Sequence, residues 1–92
     1  MKDSSEPYDI VWDAIENTPT ESENLRIRAT LTGVITEYIR REELTQSAAA
    51  KLFGVTQPRI SDLVRGKIDL FSIDSLVNML ATAHLRVEIK VA

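Results

Sequence analysis

The chain has 92 residues, a formal net charge of -3 and an apolar fraction of 43%, so it can build one compact domain but not two. It contains no cysteine and one histidine, which excludes a disulfide framework, a thiol nucleophile and a zinc site of ordinary ligand type. No apolar run approaches the ~18 residues that span a bilayer, and the first ten residues lack the apolar centre of a signal peptide. We therefore predict a cytoplasmic protein with no membrane partner and no cofactor.

The charge is distributed unevenly along the chain. Residues 1–24 carry one basic and seven acidic side chains, whereas residues 25–92 carry ten basic and seven acidic ones. Four of the basic residues fall close together, with Asp62 among them: Lys51, Arg59, Arg65 and Lys67. A local basic patch inside an acidic protein is informative about the partner that it contacts.

The chain divides into an acidic N-terminal arm, residues 1–19, and a domain over residues 20–92. Apolar residues at helical spacing between Ile10 and Ile15 predict a short helix in the arm, which depends on packing for its stability. Thr20 with Glu23 forms a capping box that predicts the start of a longer helix running to about Arg41. An interior glycine in that helix, Gly33, predicts close packing at its position.

Three shorter helices are predicted next. Thr45 is a plausible N-cap for a helix that ends at Phe53, where Gly54 can adopt the left-handed conformation. The following helix extends from about Gln57 to Arg65 and stops at Gly66, and Ser72 caps the last one.

The C-terminal segment has a different period. Its apolar residues alternate with charged ones and predict a half-buried β-strand: Leu85, Val87, Ile89 and Val91. The predicted fold is therefore mainly α, a bundle of about five helices with a C-terminal β-strand. Because a lone strand leaves backbone groups unpaired, these residues predict dimerisation across a two-fold axis, or pairing within the chain near the N-terminus.

Two short helices joined by a tight, glycine-containing turn describe a helix-turn-helix. Ala50 lies where the two helices cross and only a small side chain fits, while Ile60 and Leu63 point into the core. The polar residues of the second helix remain outside: Gln57, Arg59, Ser61, Asp62 and Arg65. This face is available to contact a partner.

The stretch LTQSAAAKLFGVTQPRISDLVRGK, residues 44–67, resembles the helix-turn-helix of the Cro/C1-type (XRE) family, and the flanking segments resemble the branch that includes HigA-type antitoxins. The resemblance covers nearly the whole chain, and these residues match the family spacing: Gln46, Ala50, Gly54, Ile60 and Leu63. It implies a lambda-repressor-like fold and a homodimer that binds a palindromic DNA operator, represses its own operon and neutralises a RelE- or HigB-like toxin.

The resemblance also implies that Gln46 and Thr56 meet phosphates, while part of the second helix faces the major groove. The chemistry agrees, because Arg59 can fork onto guanine and Gln57 can pair with adenine. The predicted base contacts are Gln57, Pro58, Arg59, Ser61 and Asp62. The predicted phosphate contacts are Thr45, Gln46, Lys51, Thr56, Arg65 and Lys67.

Alternatives remain at several positions. Asp62 can simply pair with Arg59 and Arg65 along the helix surface. Because a proline disfavours helical geometry in the residue before it, Gln57 can cap the helix instead of contacting a base. The acidic arm can be a solubilising tail.

For the whole chain, the alternatives are a stand-alone repressor without a toxin and a protein-binding module that keeps the helix-turn-helix as a scaffold. An enzyme is rejected, because no spaced carboxylate pair and no phosphate-cradling loop is found.

Overall fold

The computed structural model describes residues 19–92, so the predicted short helix of the acidic arm lies outside the described residues. The described part of the chain forms four α-helices and one short 3-10 helix. They are α1 (Pro19–Arg41), α2 (Gln46–Phe53), α3 (Gln57–Val64), the 3-10 helix (Ile68–Leu70) and α4 (Ile73–Thr82). None of these helices is long and apolar enough to cross a membrane.

The helices share one apolar core. The long helix α1 contacts α3, α4 and the 3-10 helix, and α2 packs on α3 and α4. The largest fully buried side chains come from every helix and from the residue after the 3-10 helix: Ile35, Phe53, Ile60, Leu63, Phe71 and Leu76. Because burial of apolar surface is the dominant favourable term in folding, these contacts hold α2 and α3 in a fixed relative orientation.

Helix α1 differs from its prediction in two details. It begins at Pro19, so Thr20 lies within the first turn and not at the N-cap. A Cβ built on Gly33 meets no atom within 4 Å among residues 19–92, and Gly33 is exposed. Within residues 19–92, the expected close packing at Gly33 is therefore not found.

The turn between α2 and α3 forms as its residues predict. The hydroxyl of Thr45 accepts a hydrogen bond of 3.0 Å from the Ala48 N–H and so caps α2. Gly54 closes the helix in the left-handed conformation, with φ of 71°. This conformation is open to glycine at no steric cost, so the turn stays short.

Helix α4 is also capped at both ends. At its start, the Ser72 hydroxyl accepts from the Ser75 N–H at 3.0 Å. At its end, His84 takes a positive φ of 63°, and the Leu85 N–H donates to the Leu80 carbonyl at 2.9 Å. This is the backbone pattern of a Schellman motif, which directs the following residues back along the domain.

The predicted C-terminal β-strand is wrong, since residues 85–92 form no strand and the described part of the chain contains none. A strand needs a neighbouring extended backbone, and the described elements around this segment are helices. Leu85 and Val87 instead pack against the core, while Ile89 and Val91 are 83% and 92% exposed. The apolar side chains at the start of the segment therefore serve to pack against the core. They do not mark a strand paired with another one in the described part of the chain.

Candidate nucleic-acid interface

The first turn of α3 carries the residues predicted to contact bases. Thr56 is the N-cap, with φ of -83° and ψ of 160°, and its carbonyl accepts from the N–H groups of Arg59 and Ile60 at 3.1 and 3.2 Å. Pro58 lies in the first turn, where a missing N–H leaves no helical hydrogen bond unmade. Gln57 is therefore the first helical residue and not the cap, and its side chain is exposed.

One side of α3 is buried and the other is accessible. Ile60 and Leu63 are 0% and 1% exposed and face the core, as predicted. Gln57 and Pro58 are exposed, as are Arg65 and Lys67 beyond the helix, whereas three residues are half-buried: Arg59, Ser61 and Asp62. Of the five predicted base-contacting residues, two are thus exposed and three are half-buried.

Arg59 rests on an aromatic ring. Its guanidinium carbon lies 4.2 Å from the centroid of the Phe71 ring, which is within the range of a cation–π contact. The sequence-based prediction did not include Phe71 in the site, because the contact depends on how the 3-10 helix returns the chain to α3. No local pattern in the sequence indicates it.

Asp62 forms its ion pair with a residue that was not among its expected partners. Its carboxylate lies 3.8 Å from the Lys67 ammonium, and the Lys67 N–H donates to the Asp62 carbonyl at 3.0 Å. The predicted alternative, pairing with Arg59 and Arg65, is not what the described residues form. Both side chains of this pair keep contact with solvent, since that of Lys67 is 46% exposed and that of Asp62 is 27% exposed.

The predicted phosphate-contacting residues lie at the starts of α2 and α3 and around them. Gln46 is the first residue of α2 and is exposed, as are Thr56 and Lys51. Both threonines are N-caps, but only Thr45 accepts a side-chain capping bond, whereas Thr56 makes none. The Thr56 hydroxyl is therefore available to a ligand, while Thr45 has a structural role in α2.

Among the described residues, the side chains with clearly shifted pKa values belong to α1. The hydrogen bond from Arg26 lowers the pKa of the Glu23 carboxyl, and the hydrogen bond from Arg40 lowers the pKa of the Glu37 carboxyl. The same bond raises the pKa of the Arg40 guanidinium. These pairs lie outside the predicted contact residues. Across residues 19–92 no three His, Asp or Glu side chains are grouped so that they could hold a metal ion.

The comparisons with known proteins agree with this architecture. A family model described as a helix-turn-helix domain matches residues 15–92. A solved chain, named as an XRE family transcriptional regulator, superposes with a TM-score of 0.71 at 30% sequence identity, covering 78% of this chain and 81% of that one. Among curated proteins, no match to this chain was found.

The fold, with the accessible side of α3, and the sequence likeness lead to the same conclusion. The chain is a DNA-binding regulator of the helix-turn-helix class. The chain belongs to the helix-turn-helix domain family and is of the XRE type.

Proposed function

We propose that the protein is a sequence-specific transcriptional repressor that places α3 in the major groove of its operator. The observation that carries this proposal is the first turn of α3, where Gln57 and Pro58 are exposed and Arg59 stands beside them. A guanidinium can donate two hydrogen bonds to guanine O6 and N7, and a carboxamide can pair with adenine. A helix presented in this way fits the width of the major groove.

The charges around α3 support a DNA partner despite the net charge of -3. Lys51 and Arg65 are exposed, and neither makes an ion pair within residues 19–92. Lysine and arginine contacts to phosphates fix the position of a protein on the duplex and supply the salt-dependent part of its affinity. A helix-turn-helix kept only as a scaffold for protein contacts would not require these exposed cations.

Selection from a randomised duplex library tests the proposal. We expect the full chain to enrich a defined site and to bind it about a thousandfold or more tightly than a scrambled duplex of equal length at one salt concentration. Equal affinity for the enriched and scrambled duplexes would contradict sequence-specific recognition. Replacement of Gln57 by Ala should lower the affinity for the enriched duplex more than the affinity for the scrambled duplex.

We propose further that the repressor acts as a homodimer on a palindromic operator. Ile89 and Val91 expose apolar side chains at the C-terminus, and Val34 on α1 is 49% exposed. Val34 lines a groove of about 720 Å³ between α1 and residues 85–88. A second copy that covered these side chains across a two-fold axis would remove apolar surface from water on both subunits. Two α3 helices about 34 Å apart would then meet successive turns of the major groove.

The mass of the protein in solution tests the dimer. Deletion of residues 85–92 would also remove Leu85 and Val87 from the core, so substitution is the cleaner change. We expect Ile89→Asp with Val91→Asp to give a monomer, and Leu70→Asp, at an exposed apolar residue of the 3-10 helix, to leave the dimer intact. A dimer that persists with both aspartates would exclude this surface, in favour of a contact elsewhere.

The resemblance to HigA-type antitoxins supports a second activity, neutralisation of a RelE- or HigB-like toxin. Residues 1–24 carry six more acidic than basic side chains, which complements the basic surface expected of a toxin that acts on RNA. Co-expression with the product of the neighbouring gene tests this proposal. A chain without residues 1–18, which precede α1, should bind the operator but not the toxin. A neighbour that is not a toxin would favour a stand-alone repressor.

A further inference from the structure

The ring of Phe71 is both a core element and the surface on which Arg59 lies. Phe71 is 1% exposed and directly follows the 3-10 helix in an extended conformation, with φ of -124° and ψ of 131°. Its backbone N–H donates to the Ile68 carbonyl at 3.1 Å. The ring therefore has a fixed position, and the guanidinium 4.2 Å above it has a rigid support.

The 3-10 helix that carries the ring is attached to α1. The Arg28 guanidinium donates to the Ile68 carbonyl at 3.5 Å and to the Asn24 side-chain oxygen at 2.7 Å. The Ile68 carbonyl thus accepts from both the Phe71 backbone and α1. The hydrogen bond from Arg28 thus links the segment that carries the ring to α1, and the bond from the Lys67 N–H to the Asp62 carbonyl links the same segment to α3.

Stacking and base recognition use different parts of a guanidinium. A guanidinium can place its face on an aromatic ring while its five N–H donors point outward within its plane. A guanine accepts two of those donors at the edge of the plane, so one arginine can make both contacts at once. An arginine that is already stacked also loses less side-chain freedom when it binds.

We propose that Phe71 is a positioning residue that orients Arg59 for base recognition and thereby sets sequence preference without touching DNA. The inference rests on the proposed function, since it assumes that Arg59 contacts a base. It predicts that the electron density of the Phe71 ring, and not only its volume, affects the preference of the protein for its operator.

Fluorination of the ring tests this proposal without removing the side chain from the core. Replacement of Phe71 by 4-fluoro-, 3,5-difluoro- and 3,4,5-trifluorophenylalanine keeps the shape nearly constant and progressively weakens the attraction of the ring face for a cation. The measured quantity is the ratio of dissociation constants for a scrambled duplex and for the duplex enriched by the unmodified protein. We expect the ratio to fall stepwise, by about threefold to tenfold for the trifluoro variant.

Phe53 is the matched control. It is equally buried, and its ring meets Tyr38 edge-on with centroids 6.1 Å apart. The same fluorinated residues at Phe53 should leave the ratio unchanged, as should fluorination of Phe71 in an Arg59→Ala background.

A constant ratio across the Phe71 series, in a protein that still prefers its operator, would overturn the proposal. So would an equal fall for the Phe53 series, because that would indicate a general effect of core fluorination. If the unmodified chain shows no preference between the duplexes, the proposed function itself fails and this inference fails with it. The outcomes of the two proposals are thus distinguishable.

Discussion

The side-chain methyl group of Thr82 lies 3.1 Å from the point where a Cβ on Gly54 would stand. Gly54 closes α2 with a positive φ, and Thr82 is the last residue of α4, so the turn of the helix-turn-helix is packed directly against another helix. The absence of a side chain at Gly54 therefore has two physical causes, the left-handed backbone and the close approach of Thr82.

Gly54→Ala should destabilise the domain by about 1 to 3 kcal/mol, measured by urea unfolding, because both causes act there. Gly66 allows the two causes to be distinguished, because only the first applies to it. Its φ is +80°, but no atom in the described residues lies within 4 Å of its Cβ position. We expect Gly66→Ala to cost about 1 kcal/mol, the backbone share alone. Thr82→Ser, which removes the methyl, should bring the cost of Gly54→Ala down to that of Gly66→Ala. If Thr82→Ser does not reduce the loss of stability caused by Gly54→Ala, the Thr82 methyl group does not contribute to that loss.

Gly33→Ala, in contrast, should stabilise the domain. Gly33 lies within α1 with φ in the ordinary range and open space around its Cβ position among residues 19–92. Because alanine favours an α-helix over glycine by about 1 kcal/mol, we expect the free energy of unfolding to rise by up to that amount. Destabilisation by Gly33→Ala would reveal a contact at this position, for instance in a dimer, and dilution of the sample would test that explanation.

The two N-cap threonines should respond differently to alanine. Thr45→Ala removes the hydrogen bond from the Ala48 N–H and should lower stability by about 1 kcal/mol. Thr56→Ala breaks no capping bond, so its effect on unfolding should be smaller, while its effect on operator affinity should be larger. Unfolding and DNA titrations on the same two variants give the comparison. Equal losses of stability would indicate that Thr56 caps α3 after all.

Arg59→Ala should weaken binding to the operator by about 1 to 3 kcal/mol and binding to random DNA by much less. The reason is that a base contact is lost only where the correct base is present. Arg65→Ala, at an exposed residue beyond α3, is the comparison, since it should weaken both kinds of DNA alike. If Arg59→Ala also reduces both affinities equally, Arg59 holds a phosphate and does not contact a base.

Lys51→Ala should make the dependence of operator affinity on salt shallower. Each phosphate contact that is lost reduces the slope of log K against log salt by about 0.9. Arg26→Ala is the control, because Arg26 is also exposed but lies on α1, where it pairs with Glu23. We expect an unchanged slope for Arg26→Ala. An unchanged slope for Lys51→Ala would remove that residue from the phosphate contacts.

The helices and their ends follow from local signals. Thr45 and Ser72 cap helices, Gly54 takes a positive φ, α3 ends before Gly66, and the apolar side of α3 is buried at Ile60 and Leu63, all as predicted. Such features depend on residues within one or two turns of each other, so the sequence contains the information needed to predict them. The likeness of residues 44–67 to a helix-turn-helix rests on the same local spacing.

The features that were not predicted depend on the path that the chain takes after a helix ends. Arg59 lies on Phe71 because the 3-10 helix returns the chain to α3, and Asp62 pairs with Lys67 because Gly66 turns the backbone between them. The alternation from Leu85 to Val91 predicts a strand, yet the tertiary structure places that segment beside helices, and residues 19–92 offer it no extended backbone for pairing. Local propensity determined the helices and the turn, whereas the relative placement of those helices decided the surroundings of Arg59 and the conformation of the C-terminus.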